Sequence, residues 1–309
     1  MAASTRLARK AHLLVDFLAV VEEGGIRQAA ERIHLSQSAL TRRIQELEDG
    51  FEMPLFERTT RGMTLTRSGE LLLRHARSVA QSCADAAAEI ADLTDGAAGE
   101  LCIAVGTAWA PALVPDAVAR LRRRLPALQV SLLTQMGDAL QRLADGQIDL
   151  VVGAAPLIHH EVVQYEPLLD IEQHVFASST HPLQRLPAIG APDLAKYPWI
   201  WLGETLAMRP PLDQYFAEQG LAAPTFALRT SSVQAAMRLL KEGDHLMLLP
   251  STLTRLAADG GLAPVRLDRP LLKYSAGLIY RPGSARLRSL QLFRQCLGEC
   301  LAELRSHMP

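Results

Sequence analysis

The sequence predicts an N-terminal winged helix-turn-helix, all-α with a small β wing, followed by a long linker helix and a C-terminal α/β region. Three observations predict it. Two short amphipathic helical patterns, separated by a polar break, fill Ile26 to Glu48, which is the arrangement of a helix-turn-helix. A proline-free heptad stripe then runs from Thr66 to Leu93. Beyond residue 99, short apolar runs alternate with helical patterns, as in a parallel sheet covered by helices.

The first dozen residues read as a loose arm bearing Arg6, Arg9 and Lys10. Leu13, Leu14, Phe17, Leu18 and Val21 then mark a first amphipathic helix, stopped by Gly24-Gly25. In the next helix Ile26, Ala29, Ala30 and Ile33 form one narrow apolar stripe, with Arg27, Gln28, Glu31 and Arg32 outward. Ser36 can cap a third helix, in which Leu40, Ile44 and Leu47 recur at spacings of four and three. Opposite that stripe lie Gln37, Ser38, Thr41, Arg42 and Gln45, a contiguous polar face without a large apolar group. Gln and Arg each make paired hydrogen bonds to a base edge, adenine and guanine respectively, and the major groove admits one helix. These five residues are therefore the candidate base readers.

Pro54 to Arg58 and Met63 to Thr66 flank Thr59-Thr60-Arg61-Gly62, which reads as a short β-hairpin with Gly62 in the turn. A hairpin directly after a reading helix is a wing. Ser36, Arg43, Arg58 and Arg61 are the candidate backbone contacts, supplying affinity without sequence information. The run from Phe17 to Gly69 resembles the winged-helix N-terminus of the LysR-type transcriptional regulators, through FLAVVEEGGIRQAAERIHLSQSALTRRIQELED, PLFER, an Arg-Gly turn and LTRSGE in that order. One departure is Gly25-Ile26, where that family more often has Ser or Thr.

In the linker, Leu72, Ala76, Val79, Cys83, Ala86, Ile90 and Leu93 fall at alternating spacings of four and three. Such a stripe pairs with a second helix, at ~1.5 Å rise per residue making a strut of roughly 40 Å. The expected assembly is a coiled-coil dimer, with Cys83 as a packing residue. Two reading helices at a fixed separation would suit double-stranded DNA carrying an interrupted inverted repeat. Thr94 to Gly99 loses the heptad and reads as a hinge.

Strands are expected at Leu101–Gly106, Gln129–Leu133, Leu150–Gly153, Val175-Phe176, Trp199–Leu202, Phe226–Leu228, Leu246–Leu249 and Ala276–Tyr280. Helices are expected at Pro111–Leu125, Asp138–Ala144, Leu212–Gln219, Val233–Glu242 and Arg286–Leu304. Segments such as LADGQIDLVVGA, HPL and LLKEGDHLMLLP resemble the LysR-type effector domain, which implies a periplasmic-binding-protein-like pair of α/β subdomains. The domains expected are then 1–66 for DNA binding, 67–95 for the linker and 96–309 for effector binding. Within the last, subdomain I takes 100–162 and 267–309, and subdomain II takes 163–266. The resemblance also implies a tetramer and an inducer between the subdomains.

Ligands of open α/β sheets bind beyond the carboxyl ends of strands, near helix N-termini. Thr107, Ala108 and Trp109 after the first strand, Gln135 after the second, Trp201 after a later one, and Thr230, Ser231 and Ser232 before a helix are the candidate effector contacts. Ala154-Ala155-Pro156 offers no Arg to clamp an acid. An organic acid, an aromatic compound or a sugar all stay open, and RNA polymerase is a further candidate partner.

The chain has 309 residues, 49% of them hydrophobic, and a formal net charge of −1. Its length suits two or three folding units. Near-neutrality argues against a generally basic nucleic-acid binder, so the DNA reading rests on where particular arginines sit. Only four Lys occur and no Asn, a composition that reads as codon bias. Cys83, Cys102, Cys296 and Cys300 have no spacing suited to zinc, and no cofactor is expected. Neither a signal peptide nor a long apolar span is legible, so a cytoplasmic protein is expected. Two rivals are an α/β enzyme, for which no catalytic motif is found, and a thiol-redox regulator using Cys102 with Cys296 or Cys300. His159-His160 beside Glu161 reads as a solvated pair.

Overall fold

The computed structural model describes residues 11–59, 62–91, 99–111, 113–155, 163–203 and 209–306. The expected basic arm, Arg61, Leu93, most of the hinge, Pro156 and the His159-His160 pair lie outside the described residues. The chain divides into two compact units, the main boundary falling between residues 95 and 96.

The first unit is built from α1 (Ala11–Glu23), α2 (Ile26–Arg32), α3 (Gln37–Phe51), β1 (Phe56–Thr59), β2 (Gly62–Leu65) and α4 (Arg67–Ala91). Leu13, Leu14 and Phe17 of α1 pack with Ala29 and Ala30 of α2 and with Leu40, Ile44 and Leu47 of α3, all buried in one cluster. Gly24 stops α1 by taking φ +67, a left-handed value that costs glycine nothing. His34, in the turn before α3, holds φ +56 without that freedom. β1 and β2 are antiparallel from Phe56↔Leu65 to Thr59↔Gly62. Gly62 therefore opens β2 instead of sitting in the turn, because it pairs with Thr59.

The stripe on α4 is continuous in sequence but divided in space. Leu72 and Ala76 are buried in the helical cluster of their own unit, which corrects their assignment to a dimer contact. Val79, Cys83, Ala86 and Ile90 are exposed, Ile90 at 68%. The split arises because α1 packs across the first turns of α4 and ends before its last ones.

The second unit contains a nine-stranded sheet, with strands β3 (Glu100–Val105), β4 (Gln129–Leu133), β5 (Leu150–Ala154), β6 (Gln164–Ser178), β7 (Trp199–Leu202), β8 (Phe226–Thr230), β9 (Leu246–Pro250), β10 (Leu262–Pro264) and β11 (Leu272–Tyr280). The order is β4-β3-β5-β11-β6-β9-β7-β8, with β10 on β6. β3 runs parallel to β4 and β5, and β7 parallel to β8 and β9, whereas β6 and β11 run antiparallel to their neighbours. The sheet is thus mixed, not all parallel, because two long strands cross from one half to the other. Helices α5 (Leu113–Arg124), α6 (Ala139–Ala144), α7 (Ala191–Leu194), α8 (Arg209–Ala217), α9 (Val233–Glu242), α10 (Thr254–Asp259) and α11 (Arg288–Ser306) cover it.

Each half has a core on both faces. β3, β5, α5 and α11 share one cluster, and Ala104, Val151 and Leu143 sit in another. The β7–β9 half has its own pair, around Trp199 and Phe216 on one side and Ile200 and Leu240 on the other. β11 slips register between Ala276 and Gly277 opposite β6, and there the backbones touch closely enough to require glycine. A Cβ on Gly277 would lie 2.0 Å from the Glu166 carbonyl oxygen.

His181 is buried and its Nδ1 accepts the Leu183 amide hydrogen at 3.1 Å. Burial lowers its pKa below the ordinary value of 6.5, so the unfolded chain binds a proton that the folded one refuses. Stability is then unaffected above 6.5 and falls as the pH drops below it. Unfolding midpoints measured downward from pH 7.5 should show this decline, and His181→Gln should flatten it.

Candidate nucleic-acid interface and ligand cavity

α3 exposes Gln37, Ser38, Thr41, Arg42 and Gln45, while Leu40, Ile44 and Leu47 are buried behind them. Ser36 caps the helix, its hydroxyl accepting the Ala39 amide hydrogen at 3.2 Å. The reading face is not uniformly free. Thr41 donates its hydroxyl to the Gln37 carbonyl at 2.8 Å, and Gln45 Nε2 donates to Asp49 at 3.0 Å. Arg42 makes no ion pair among the described residues. Arg43 does: its guanidinium lies 3.1 Å from the carboxylate of buried Asp16 on α1. That pair holds α3 against α1, so Arg43 has a structural task beside any contact with phosphate.

Two residues that the sequence left unmarked position the wing. Glu48 Oε1 accepts the amide hydrogens of Leu55 and Phe56, at 2.7 and 3.3 Å, and so ties the end of α3 to the start of β1. Thr66 donates its hydroxyl to the Pro54 carbonyl at 2.7 Å and accepts the Gly69 amide hydrogen at 3.0 Å, fixing the start of α4. Glu48→Ala should cost about 1–3 kcal/mol by stranding these amides. Hydrogen exchange at Leu55 and Phe56 should quicken, and binding to every duplex should weaken alike. Arg58 pairs with Met63 across the wing; its side chain, like all of Arg61, lies outside the described residues.

In the second unit a cavity of about 230 Å³ opens at the carboxyl ends of the parallel strands, the position expected for ligands of such sheets. The turn Gly106 to Trp109, with Thr134, Met136, Gly153 and Ala154, lines it from the β3–β5 half. Trp199 to Gly203, Phe226, Ser231, Leu248 and Pro250 line it from the β7–β9 half. Gln173 of β6 and Tyr274 of β11 join them from the crossing strands. Thr252 ties the halves by donating its hydroxyl to the Ala108 carbonyl at 2.7 Å.

Of the candidate effector residues, Thr107, Ala108, Trp109, Trp201 and Ser231 are brought together here. Gln135 is exposed and outside the lining, while its neighbours Thr134 and Met136 belong to it. Thr230 and Ser232 are outside the lining and are used locally. Thr230 Oγ1 accepts the Ser232 amide hydrogen at 3.1 Å, and Ser232 caps α9 by accepting from Ala235 at 3.2 Å. Gln173 and Tyr274 carry no local signal as cavity residues, since their place depends on where β6 and β11 cross.

Cys102 is not assembled with Cys296 or Cys300 for redox chemistry. Cys102 packs with the Ala104 cluster on one face of β3, whereas Cys296 and Cys300 are buried with Leu101 and Ile103 on the other. Burial raises all three thiol pKa values, which keeps them protonated and poorly nucleophilic. Among the described residues no cluster of His, Cys, Asp and Glu could hold a metal ion. No described helix is long and apolar enough to cross a membrane.

Known families match both units. A model of the LysR substrate binding domain matches residues 94–302, and one of the bacterial regulatory helix-turn-helix protein, lysR family, matches residues 11–70. A probable nitrogen assimilation transcriptional activator of Synechococcus elongatus is 30% identical, across 93% of this chain and 94% of its own. Among solved structures, LysG from Corynebacterium glutamicum with bound effector Arg aligns with TM-score 0.69 at 18% identity, covering 95% of this chain and 98% of that one. A full-length OxyR variant from Pseudomonas aeruginosa aligns with TM-score 0.69 at 22% identity, covering 93% of this chain and 94% of that one. At those identities the structures speak for the fold. The chain belongs to the LysR family of transcriptional regulators, a DNA-binding helix-turn-helix followed by the family's substrate-binding domain.

Proposed function

We propose that this regulator binds an interrupted inverted repeat as a pair of copies and answers to a small molecule held in the cavity of its second unit. Gln37, Ser38, Thr41, Arg42 and Gln45 read bases, and Ser36, Arg58 and Arg61 meet the backbone, with Arg43 divided between phosphate and Asp16. The domains run 1–66, 67–95 and 96–309, with the last divided at the crossing strands. Its work is regulation in the cytoplasm and not catalysis, and the paired copies assemble further into a tetramer that can meet RNA polymerase.

The observation that carries this reading is the exposed polar face of α3, backed by a fully buried apolar stripe. Pairing is supported by the second half of α4. Val79 and Ile90 are large, apolar and 38% and 68% exposed, and they continue a heptad that needs a partner helix. Ile90→Glu places a charge on that seam without touching the core of the first unit. Sedimentation should then show monomer, with affinity for the inverted repeat falling at least about tenfold as the second half-site is lost. An unchanged dimer with unchanged affinity would remove α4 from the interface.

A further inference from the structure

The first unit is not one continuous stretch of chain. Ala144–Gln147, the turn between α6 and β5, belongs to it, although the chain on either side of that turn folds in the second unit. Two side chains of α4 hold the turn. Arg77 Nη1 lies 3.2 Å from the carboxylate of Asp145, whose side chain is only 10% exposed. Gly146, at φ +75, backs onto Gln81 so closely that a Cβ would fall 2.6 Å from both the Gln81 Cβ and Cγ. Gln81 is itself fixed, its Nε2 donating to buried Asp85 at 2.8 Å. Glycine is what this approach requires, because the backbone is left-handed and there is no room for a side chain.

The two ends of the same turn are clamped from within the second unit. Buried Arg281, next after β11, donates through Nη1 to the Leu143 carbonyl at 2.9 Å and to the Ile148 carbonyl at 2.6 Å, the residues just outside the turn on each side. Its Nη2 faces the Asp149 carboxylate at 3.4 Å, and the other oxygen of that carboxylate accepts the Cys102 amide hydrogen of β3 at 2.8 Å. Leu143 and Ile148 are buried with Ala104 and Val151. A guanidinium sets its donors in one rigid plane, so the clamp moves with the strands that carry it. From Ile148 the chain runs straight into β5, whose last residues, Gly153 and Ala154, are part of the cavity wall. At ~3.3 Å rise per residue the strand spans roughly 17 Å.

We propose that Ala144–Gln147 is the coupling element of this regulator: a shift of β5 at the cavity and a shift of α4 in the first unit are passed to one another through this turn, gripped by Arg77 and Gln81 and framed by Arg281. The proposal rests on the reading of the cavity as the ligand site and of α3 as the reader of DNA. Its core, a linkage between α4 and β5, is open to test without ligand or duplex.

Hydrogen exchange on the full-length protein makes that test. Arg77→Glu sets a second carboxylate against Asp145 and opens the contact. Amides 148–152 should then exchange about fivefold faster or more, although the substitution lies in α4. Adding Asp145→Arg rebuilds the ion pair in the opposite sense, and the rates should return to within about twofold of the parent. Coupling acts in both directions, so Arg281→Lys, whose single ammonium cannot span both carbonyls and the Asp149 carboxylate, should quicken exchange over residues 77–85. Duplex recovered by site selection should slow amides 148–152 about threefold or more in the parent and leave them unchanged in Arg77→Glu. Indifference of 148–152 to Arg77→Glu, a rise that the exchanged pair does not rescue, or α4 rates blind to Arg281→Lys would each overturn the proposal. So would bound duplex that leaves the parent's 148–152 amides untouched. A protein that binds no duplex would sink the DNA reading alone, and the comparison of Arg77→Glu with the exchanged pair would still decide the turn.

Discussion

Arg42→Ala lowers affinity for the cognate site by about 1–3 kcal/mol, roughly 5- to 150-fold, with a much smaller loss on unrelated duplex. The size follows from the two parallel hydrogen bonds that a guanidinium makes to guanine. The selectivity follows from the position of the residue. Arg42 is exposed and makes no ion pair among the described residues, and its helix is held by Leu40, Ile44 and Leu47 on the other side. Removing it therefore leaves α3 folded. Arg43→Ala is the contrasting change, because it strands the buried carboxylate of Asp16, and its effect should appear as lost stability. Fluorescence anisotropy at one fixed salt concentration, on cognate and scrambled duplexes, separates the cases. Equal losses on both duplexes for Arg42→Ala would make it a phosphate contact.

Gly277→Val should be the most destabilising single change in the second unit. Its Cβ would lie 2.0 Å from the Glu166 carbonyl oxygen and 3.0 Å from the Pro167 Cα, and backbone atoms cannot step aside as a flexible side chain can. The contact sits where β11 slips register against β6, in the pair of strands that joins the two halves around the cavity. A cost of about 3 kcal/mol or more is expected, lowering the midpoint of thermal unfolding by roughly 6–12 °C. Calorimetric unfolding of the variant within a few degrees of the parent would show that the strands part easily there.

Periodicity made the first unit legible almost residue by residue. Leu40, Ile44 and Leu47 are buried, Ser36 caps α3, and the wing follows. What periodicity could not say is which neighbour a stripe meets. Leu72 and Ala76 share a heptad with Ile90, yet they are buried in the cluster that α1 forms with its neighbours while Ile90 faces out. Apolar runs likewise placed β3, β5 and β7, which are buried on both faces. β6 spans Gln164–Ser178, but only its last residues are continuously buried; the rest alternates with Glu166, Asp170 and Glu172 and carries no apolar run.

The cavity was half legible for a related reason. Residues just after a parallel strand, such as Thr107, Trp109 and Ser231, can be placed from the strand alone. Gln173 and Tyr274 lie within strands whose lateral neighbours are fixed by topology. Hydroxyls before a helix are ambiguous by nature, since capping and ligand contact ask for the same group, and Ser232 is taken by the cap.

Site selection from a random duplex pool by the full-length protein, with the recovered sequences read out, probes most directly whether α3 reads DNA as one of a pair. Two inverted half-sites about one or two helical turns apart should be enriched, and Gln37→Ala or Arg42→Ala should blur the positions within each half. Recovery of unenriched sequence by a monomeric protein would contradict it.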